Sequence, residues 1–297
     1  VKNFVLIGAA GYIAPRHLKA IRETGNRLLA ALDIHDSAGV LDAYFPDADF
    51  FTEFERFDRH CEKIRRSGTA IDYVVVCSPN YLHDAHIRFG LRIGADVICE
   101  KPVVLNPWNA DALAELEKET GKKVYTTLQL RYHPSVIALR NKILAGGAEK
   151  RFSVDLRYIT ARGRWYHYSW KGDVNRSGGI ITNIGLHFFD VLLWIFGDVT
   201  ASRLTEISSR KAAGELQLEL ADIKWFLSID ANDLPADKAE KNETTHRSLL
   251  VDGDLIDFTT GFNELHTVCY QQILAGKGIG LAEAKKAVSL TAAMRGT

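Results

Sequence analysis

Residues 2–33 place a buried strand, a glycine turn, a helix, a second strand and an acid in one fixed order. Phe4, Val5, Leu6 and Ile7 form an apolar run that stops at Gly8. Gly8-Ala9-Ala10-Gly11-Tyr12-Ile13-Ala14 follows, then a helical pattern with Leu18 and Ile21 that stops near Gly25. Leu28-Leu29-Ala30-Ala31-Leu32 is a second apolar run, and it ends in Asp33. A dinucleotide-binding βαβ unit requires this order. Its glycines let the backbone approach a pyrophosphate, whose charge then faces N–H groups at a helix N-terminus. Asp33 lies 22 residues past Gly11, the offset expected of an acid on the adenosine ribose. A carboxylate there repels a 2′-phosphate, so NAD is favoured over NADP. Gly8, Gly11, Tyr12, Ile13 and Asp33 are therefore expected at the cofactor. The loop reads G-x-x-G-x-x-A, with Ala10 where a tight turn wants glycine. The competing reading is a tight turn in another α/β fold. His17, inside the first helix, reads as a packing residue.

Further strands repeat the theme of polar groups at carboxyl ends. Helices are expected over 37–45 and 53–66, with Asp49-Phe50-Phe51 as a short strand between them. Asp72-Tyr73-Val74-Val75-Val76-Cys77 is a buried strand ending in Ser78-Pro79-Asn80-Tyr81-Leu82-His83. Asn80 can cap the next helix or present its amide to a cofactor, and His83 lies one turn on. Asp96-Val97-Ile98-Cys99 runs into Glu100-Lys101-Pro102, an acid, a base and a proline where a parallel strand stops. Its bland reading is a solvated Glu–Lys pair on an edge strand. A helix over 107–119 leads to a sixth strand, Lys123–Thr127, which ends in the polar cluster from Gln129 through Arg131 to Pro134. A helix over 135–144 then stops at Gly146-Gly147.

From residue 151 the period changes to two. Phe152, Val154, Leu156 and Tyr158 alternate with Ser153, Asp155 and Arg157, the pattern of a strand buried on one face. Strands are expected over 199–209, 215–220, 222–231, 245–251 and 254–258, with Asp252-Gly253 as a hairpin turn. Helices over 261–274 and from 281 follow. The fold class is α/β, with an N-terminal Rossmann domain (1–128) on a doubly wound parallel sheet. The C-terminal α+β domain (129–297) is built on a mostly antiparallel sheet.

Between the first strands of that second domain lies a polar–aromatic run from Arg162 to Asp173. Gly178-Gly179 and a helix bearing Asn183, His187 and Asp190 follow, at spacings that share one face. Gly185 leaves space beside that face for a ligand or another backbone. His187 is surrounded by Phe188, Phe189, Leu192 and Leu193, so a core histidine is its plain alternative.

The totals exclude several classes. Lys plus Arg equals Asp plus Glu at 37 each, so nothing basic is in excess to bind nucleic acid or an anionic membrane. No apolar run approaches the ~18 residues of a membrane span. The start has no signal-peptide layout. Cys61, Cys77, Cys99 and Cys269 are scattered, as reduced thiols of a cytoplasmic protein would be, and no metal is expected.

Taken together, the loop at 8–14, Pro79-Asn80 with His83, Glu100-Lys101-Pro102, Gln129 to Pro134 and Gly185-x-His187-x-x-Asp190 resemble the Gfo/Idh/MocA oxidoreductase family over essentially the whole chain. The run from Arg162 to Asp173 with Ala231-Asn232-Asp233-Leu234-Pro235 is most similar to the UDP-N-acetylglucosaminuronate 3-dehydrogenases of bacterial O-antigen biosynthesis. The resemblance implies NAD as cofactor and oxidation of the 3-hydroxyl of a UDP-linked N-acetylated uronic acid, whose ketone a separate enzyme aminates. It implies a homo-oligomer, such as a tetramer, and admits 2-oxoglutarate as a hydride acceptor. Lys101 matches the family lysine at the reacting hydroxyl, and His187 the histidine across from it. Glu100, Asn80 and His83 match positions near the nicotinamide half; Ser78 and Gln129, at the ends of other strands of the sheet, are also expected at the cofactor. Asn183 stands where many members carry an acid, so a relay ending in a carboxylate is unavailable there.

A free lysine is too basic by about 3 units, and burial with the positive nicotinamide ring pushes it down. Lys101 is expected as the main acid–base, with His187 assisting. Arg131, Arg157, Arg164 and Lys171 are candidates for the substrate's carboxylate and diphosphate. Tyr158, Trp165 and Tyr166 are candidates to cover its sugar or uracil. The rival readings are a dehydrogenase of a free sugar or inositol, and an NAD(H)-binding regulatory protein without catalysis.

Overall fold

The computed structural model describes residues 1–146, 150–257, 261–262 and 264–296. Gly147, expected at a helix stop, and position 258, expected at a strand end, lie outside the described residues, as does 263 in the helix expected from 261. The chain divides into two compact units: Val1–Gln129 with Asn263–Lys285, and Leu130–Phe262 with Lys286–Thr297.

The first unit carries β1 (Asn3–Ile7), β2 (Arg27–Leu32), β3 (Asp49–Phe51), β4 (Tyr73–Val76), β5 (Asp96–Cys99) and β6 (Val124–Thr126) in one sheet, ordered β3-β2-β1-β4-β5-β6. Every neighbouring pair is parallel. Helices α1 (Ala14–Glu23), α2 (Phe54–Arg66), α3 (His83–Arg92) and α4 (Pro107–Thr120) connect the strands. Phe4 through Ile7, Val74 through Val76 and Val97 through Cys99 are buried, as strands covered on both faces must be. Registers Ile7↔Val76, Val76↔Cys99 and Cys99↔Thr126 align the ends of the central strands. Gly8, Cys77, Glu100 and Thr127 therefore leave the sheet along one edge, where open α/β sheets bind ligands.

Two expectations are corrected here. Residues 37–45 form only a short 3₁₀ turn, Gly39–Ala43. Leu41 is its one buried residue, so no apolar stripe holds a longer helix. Helix α10 (Leu265–Leu274), expected with the second domain, packs in the first unit instead. Tyr270 and Ile273 enter the core built on Phe4, Leu6 and Leu18, and Tyr270 stacks on Phe4 at 6.0 Å.

The second unit holds β7 (Phe152–Thr160), β8 (Val199–Ile207), β9 (Lys211–Leu218), β10 (Ala221–Ser228), β11 (Thr245–Val251) and β12 (Asp254–Leu255), ordered β12-β11-β7-β10-β9-β8. Only β7 and β10 pair in parallel; the other pairs are antiparallel. Asp252 and Gly253 both take positive φ, 52° and 88°, and turn β11 into β12. Helix α5 (Pro134–Ala145) and the short α6 (Trp165–Tyr168), α7 (Val174–Ser177) and α9 (Ala236–Glu240) join α8 (Leu186–Phe196); α11 (Leu281–Arg295) follows α10 in the chain.

Helix α8 is buried on nearly all sides, and Phe189 meets Trp225 of β10 edge-on at 5.2 Å. The stretch Val174–Phe196 is long and apolar enough, by length and composition only, to cross a membrane, although Arg176, Asn183, His187 and Asp190 interrupt its apolar residues. Its apolar part is mostly buried inside the protein, and left-handed Gly178 and Gly179 interrupt it, so it reads as a core element. The space expected beside Gly185 is already filled: a Cβ there would lie 2.6 Å from Leu227 and 2.7 Å from Phe189.

Candidate active site

The glycine loop is held by backbone bonds and by one side-chain acceptor, Asp33. Gly8 N–H and Ala9 N–H both donate to the Leu32 carbonyl, at 2.7 and 3.1 Å, and Gly11 N–H to the Gly8 carbonyl at 3.1 Å. Gly8 has φ of 96°, and a Cβ on it would lie 2.6 Å from the Cys77 carbonyl carbon. No other residue fits there. Ala10 needs no such freedom, since it is absent from the positive-φ residues. The concern over its missing glycine is therefore removed. Asp33 Oδ2 accepts from Ala10 N–H at 2.9 Å and Oδ1 from His35 N–H at 3.0 Å. Each oxygen keeps a lone pair for a ribose hydroxyl. Tyr12 is 88% exposed, and α1 begins after Ile13 without a side-chain cap.

The ends of β4 and β5 are tied together by His83. Its ring is fully buried, with Nδ1 2.7 Å from the Pro102 carbonyl and Nε2 2.8 Å from the Ser78 carbonyl. Burial lowers its pKa, while the two carbonyls oppose that. Both nitrogens face backbone carbonyls, and a neutral ring donates to one of them at a time, so His83 braces the chain between the two strand ends. The Ser78 hydroxyl meets His86 Nδ1 at 2.8 Å. Asn80 is buried in the 3₁₀ turn Asn80–Leu82; it is not the cap of α3, whose N-cap is Leu82. Gln129 is buried, and its Oε1 has no partner among the described residues.

Glu100 is buried and points into the unit. Its Oε1 accepts from Thr127 Oγ1 at 2.9 Å and faces His17 Nε2 at 2.9 Å and His266 Nε2 at 3.2 Å. His17 Nδ1 lies 2.8 Å from the Tyr270 hydroxyl. Burial alone would raise the Glu100 pKa; the hydrogen bonds and Coulombic attraction of His17 and His266 together outweigh it and hold the carboxyl well below its ordinary range. His17 is therefore not simple packing, and Oε1 of Glu100 faces the buried histidines while Oε2 faces the Lys101 backbone N–H. Lys101 is half-buried beside it and joins Pro102 through a cis peptide bond.

In the second unit, Arg131 is buried and grips Asp190 with two bonds, Nε to Oδ2 at 2.9 Å and Nη2 to Oδ1 at 2.7 Å. Such a fork is already filled, which argues against Arg131 as a substrate clamp. The expected single face of Asn183, His187 and Asp190 is broken by a π-turn over Ile181–Gly185. Asn183 donates from Nδ2 to Tyr166 Oη at 2.9 Å. Tyr166 is accordingly buried, and burial raises its pKa, so it is not an exposed cover for a sugar. His187 stays half-buried. Tyr158 rests on Phe188 at 4.7 Å. Arg157 pairs with Asp155 and is exposed, as is Arg164. Lys171 sits over the Trp170 ring at 4.5 Å and near Trp165, and burial lowers its pKa.

Sequence reasoning missed Thr127, His266 and Tyr270. The usable signal was the i, i+4 spacing of His266 and Tyr270, which puts both on one face of α10.

Residues 2–128 match the oxidoreductase family described by its NAD-binding Rossmann fold, and residues 142–219 match that family's C-terminal alpha/beta domain. The WlbA (WbpB) dehydrogenase of Thermus thermophilus, solved with NAD and alpha-ketoglutarate, is 46% identical with a TM-score of 0.96. The match covers 99% of this chain and 95% of that one. The same enzyme solved with NAD and UDP-GlcNAcA gives a TM-score of 0.95 over the same coverage. Among curated relatives, the D-glucoside 3-dehydrogenase of Escherichia coli is 26% identical over 48% of this chain, and the inositol 2-dehydrogenase of Rhizobium meliloti 26% over 72%. The chain spans 42% and 61% of those two relatives' own lengths. A relative this similar over nearly its whole length, with both family segments matched in order, makes the chain a member of the Gfo/Idh/MocA oxidoreductase family.

Proposed function

We propose that the chain is an NAD-dependent dehydrogenase that oxidises the 3-hydroxyl of UDP-N-acetylglucosaminuronate to the 3-keto sugar nucleotide. The observation that carries this is 46% identity, over 99% of the chain, to a Thermus thermophilus enzyme solved with NAD and UDP-GlcNAcA. The loop fits NAD: Gly8 lets the loop pass against the Cys77 backbone at the end of β4, α1 opens uncapped, and Asp33 stands at the end of β2. Gly8, Gly11, Tyr12 and Ile13 hold the pyrophosphate, Asp33 the ribose, and Ser78, Asn80 and Gln129 border the nicotinamide half. When bound, NAD supplies the acceptor for the hydride leaving C3.

Lys101 takes the hydroxyl proton, which requires a neutral amine at that moment. His187 orients the hydroxyl. Asn183 carries no proton, because an amide does not titrate; its hydrogen bond holds Tyr166. Arg164, Lys171 and Arg157 meet the carboxylate and diphosphate, and Trp165, 53% exposed, covers the sugar or uracil with Tyr158. The Thermus complex with NAD and alpha-ketoglutarate supports 2-oxoglutarate as the second substrate that returns the cofactor to NAD. The protein works as a cytoplasmic homo-oligomer, and its ketone is passed to an aminating enzyme of O-antigen sugar synthesis.

The curated relatives that act on glucosides and inositol favour a second reading, oxidation of a free sugar or inositol. NADH formation with UDP-N-acetylglucosaminuronate and none with glucose, glucoside or inositol supports the first reading. The reverse pattern overturns it.

A further inference from the structure

Lys101 is flanked in sequence by two buried imidazole anchors. On one side Glu100 Oε1 is gripped by His17, His266 and Thr127. On the other, the Pro102 carbonyl is held by His83 at 2.7 Å. The first anchor joins three distant parts of the unit. His17 lies in the first turns of α1, just past the glycine loop; Thr127 follows β6; His266 stands on α10. We propose that Glu100 is an internal anchor rather than a cofactor ligand, and that His17 and His266 are positioning residues that set Lys101 through it.

Proton accounting supports this arrangement. The Tyr270 hydroxyl donates to His17 Nδ1, leaving Nε2–H to donate to Glu100. His266 donates its own Nε2–H, and the Thr127 hydroxyl is the third donor to the same oxygen. Oε2 faces the Lys101 backbone N–H at 3.3 Å. The other titratable neighbours, Cys77, Cys99, Cys269 and Tyr270, are held protonated by burial and by Glu100, so no rival anion competes for these donors. Three well-placed donors fix the carboxylate in one orientation. The same three side chains, His17, Glu100 and His266, also have ligand atoms close enough to grip a metal ion, which gives the idea a sharp competitor.

The proposal rests on the reading of Lys101 as acid–base, so its test carries one readout that does not need turnover. His17 and His266 are each replaced by Gln, whose amide N–H can stand in for Nε2–H, and by Leu, which has no donor. Thr127→Val removes one hydroxyl without opening a cavity and serves if a Leu variant fails to fold. For each full-length variant, kcat per NAD-binding site, KM for UDP-N-acetylglucosaminuronate and Kd for NAD are measured. In parallel, the ¹³C-methyl resonance of reductively dimethylated Lys101 is followed, assigned by its loss in Lys101→Arg. The Leu variants should lose about tenfold or more in kcat and Thr127→Val about threefold, with Kd for NAD within about threefold. The Gln variants should recover to within about threefold of the unaltered enzyme. The Lys101 resonance should move in the Leu variants and not in the Gln variants.

Unchanged kcat and an unmoved resonance in the Leu variants overturn the proposal. So does a Gln variant as impaired as its Leu counterpart, or a metal ion bound one per chain and released by His266→Leu. If the unaltered protein does not oxidise the nucleotide sugar, the functional reading fails while the Lys101 resonance still decides the anchor.

Discussion

Replacing Arg131 separates a structural pair from a substrate clamp. Its side chain is 7% exposed and that of Asp190 2%, and two short bonds join them. Removing one member of such a pair leaves the other charge buried without its partner, at a cost of about 3–5 kcal/mol. Removing both deletes that orphan, so Arg131→Met with Asp190→Leu should cost less than the sum of the single changes. For a urea slope of about 3 kcal/mol per molar, each single change lowers the midpoint by about 1–1.7 M. Tryptophan fluorescence follows the right unit, because Trp165, Trp170, Trp194 and Trp225, four of the five tryptophans, belong to it. In the folded Arg131→Met protein, KM for the nucleotide sugar should stay within about twofold. An unmoved midpoint with a tenfold rise in KM would refute this account and return Arg131 to the substrate.

Three other outcomes are expected. Gly8→Ala forces a Cβ to 2.6 Å from the Cys77 backbone at a φ of 96°, so NAD affinity measured by fluorescence quenching should fall at least about tenfold. Asp33→Asn keeps an acceptor for Ala10 N–H and removes the charge, so the Kd for NADP should approach that for NAD; unchanged discrimination would remove Asp33 from the ribose site. Burial lowers His86 from 6.5 to about 4, so between those values the unfolded chain binds a proton that the folded chain does not. Its contribution to stability is present above pH 6.5 and lost as pH falls towards 4, and His86→Asn should flatten the urea midpoint over that window.

The parts of the fold written in local pattern were legible. Apolar runs ending in glycine or polar clusters gave the six parallel strands, and the change to period two at Phe152 marked the second sheet. Gly8 and Asp33 stand where their spacing puts them, because the βαβ unit is contiguous. The long-range pairings were not legible. His17 and Glu100 are 83 residues apart, Arg131 and Asp190 59, and His266 comes 166 after Glu100. Nothing local marks a histidine that serves a carboxylate from another element. The π-turn at Ile181–Gly185 was likewise invisible, since inserting one residue into a turn leaves the apolar composition unchanged. Helix α10 was misplaced because its burial depends on Phe4, at the opposite end of the chain.

The most direct test of the central claim follows the hydride itself. UDP-N-acetylglucosaminuronate deuterated at C3 is incubated with the protein and NAD, and the reduced cofactor is analysed by mass spectrometry. The account predicts NADH one mass unit heavier, formed together with the 3-keto sugar nucleotide, and its loss in Lys101→Ala. Unlabelled NADH, or none with this substrate while a free sugar or inositol is oxidised, would contradict it.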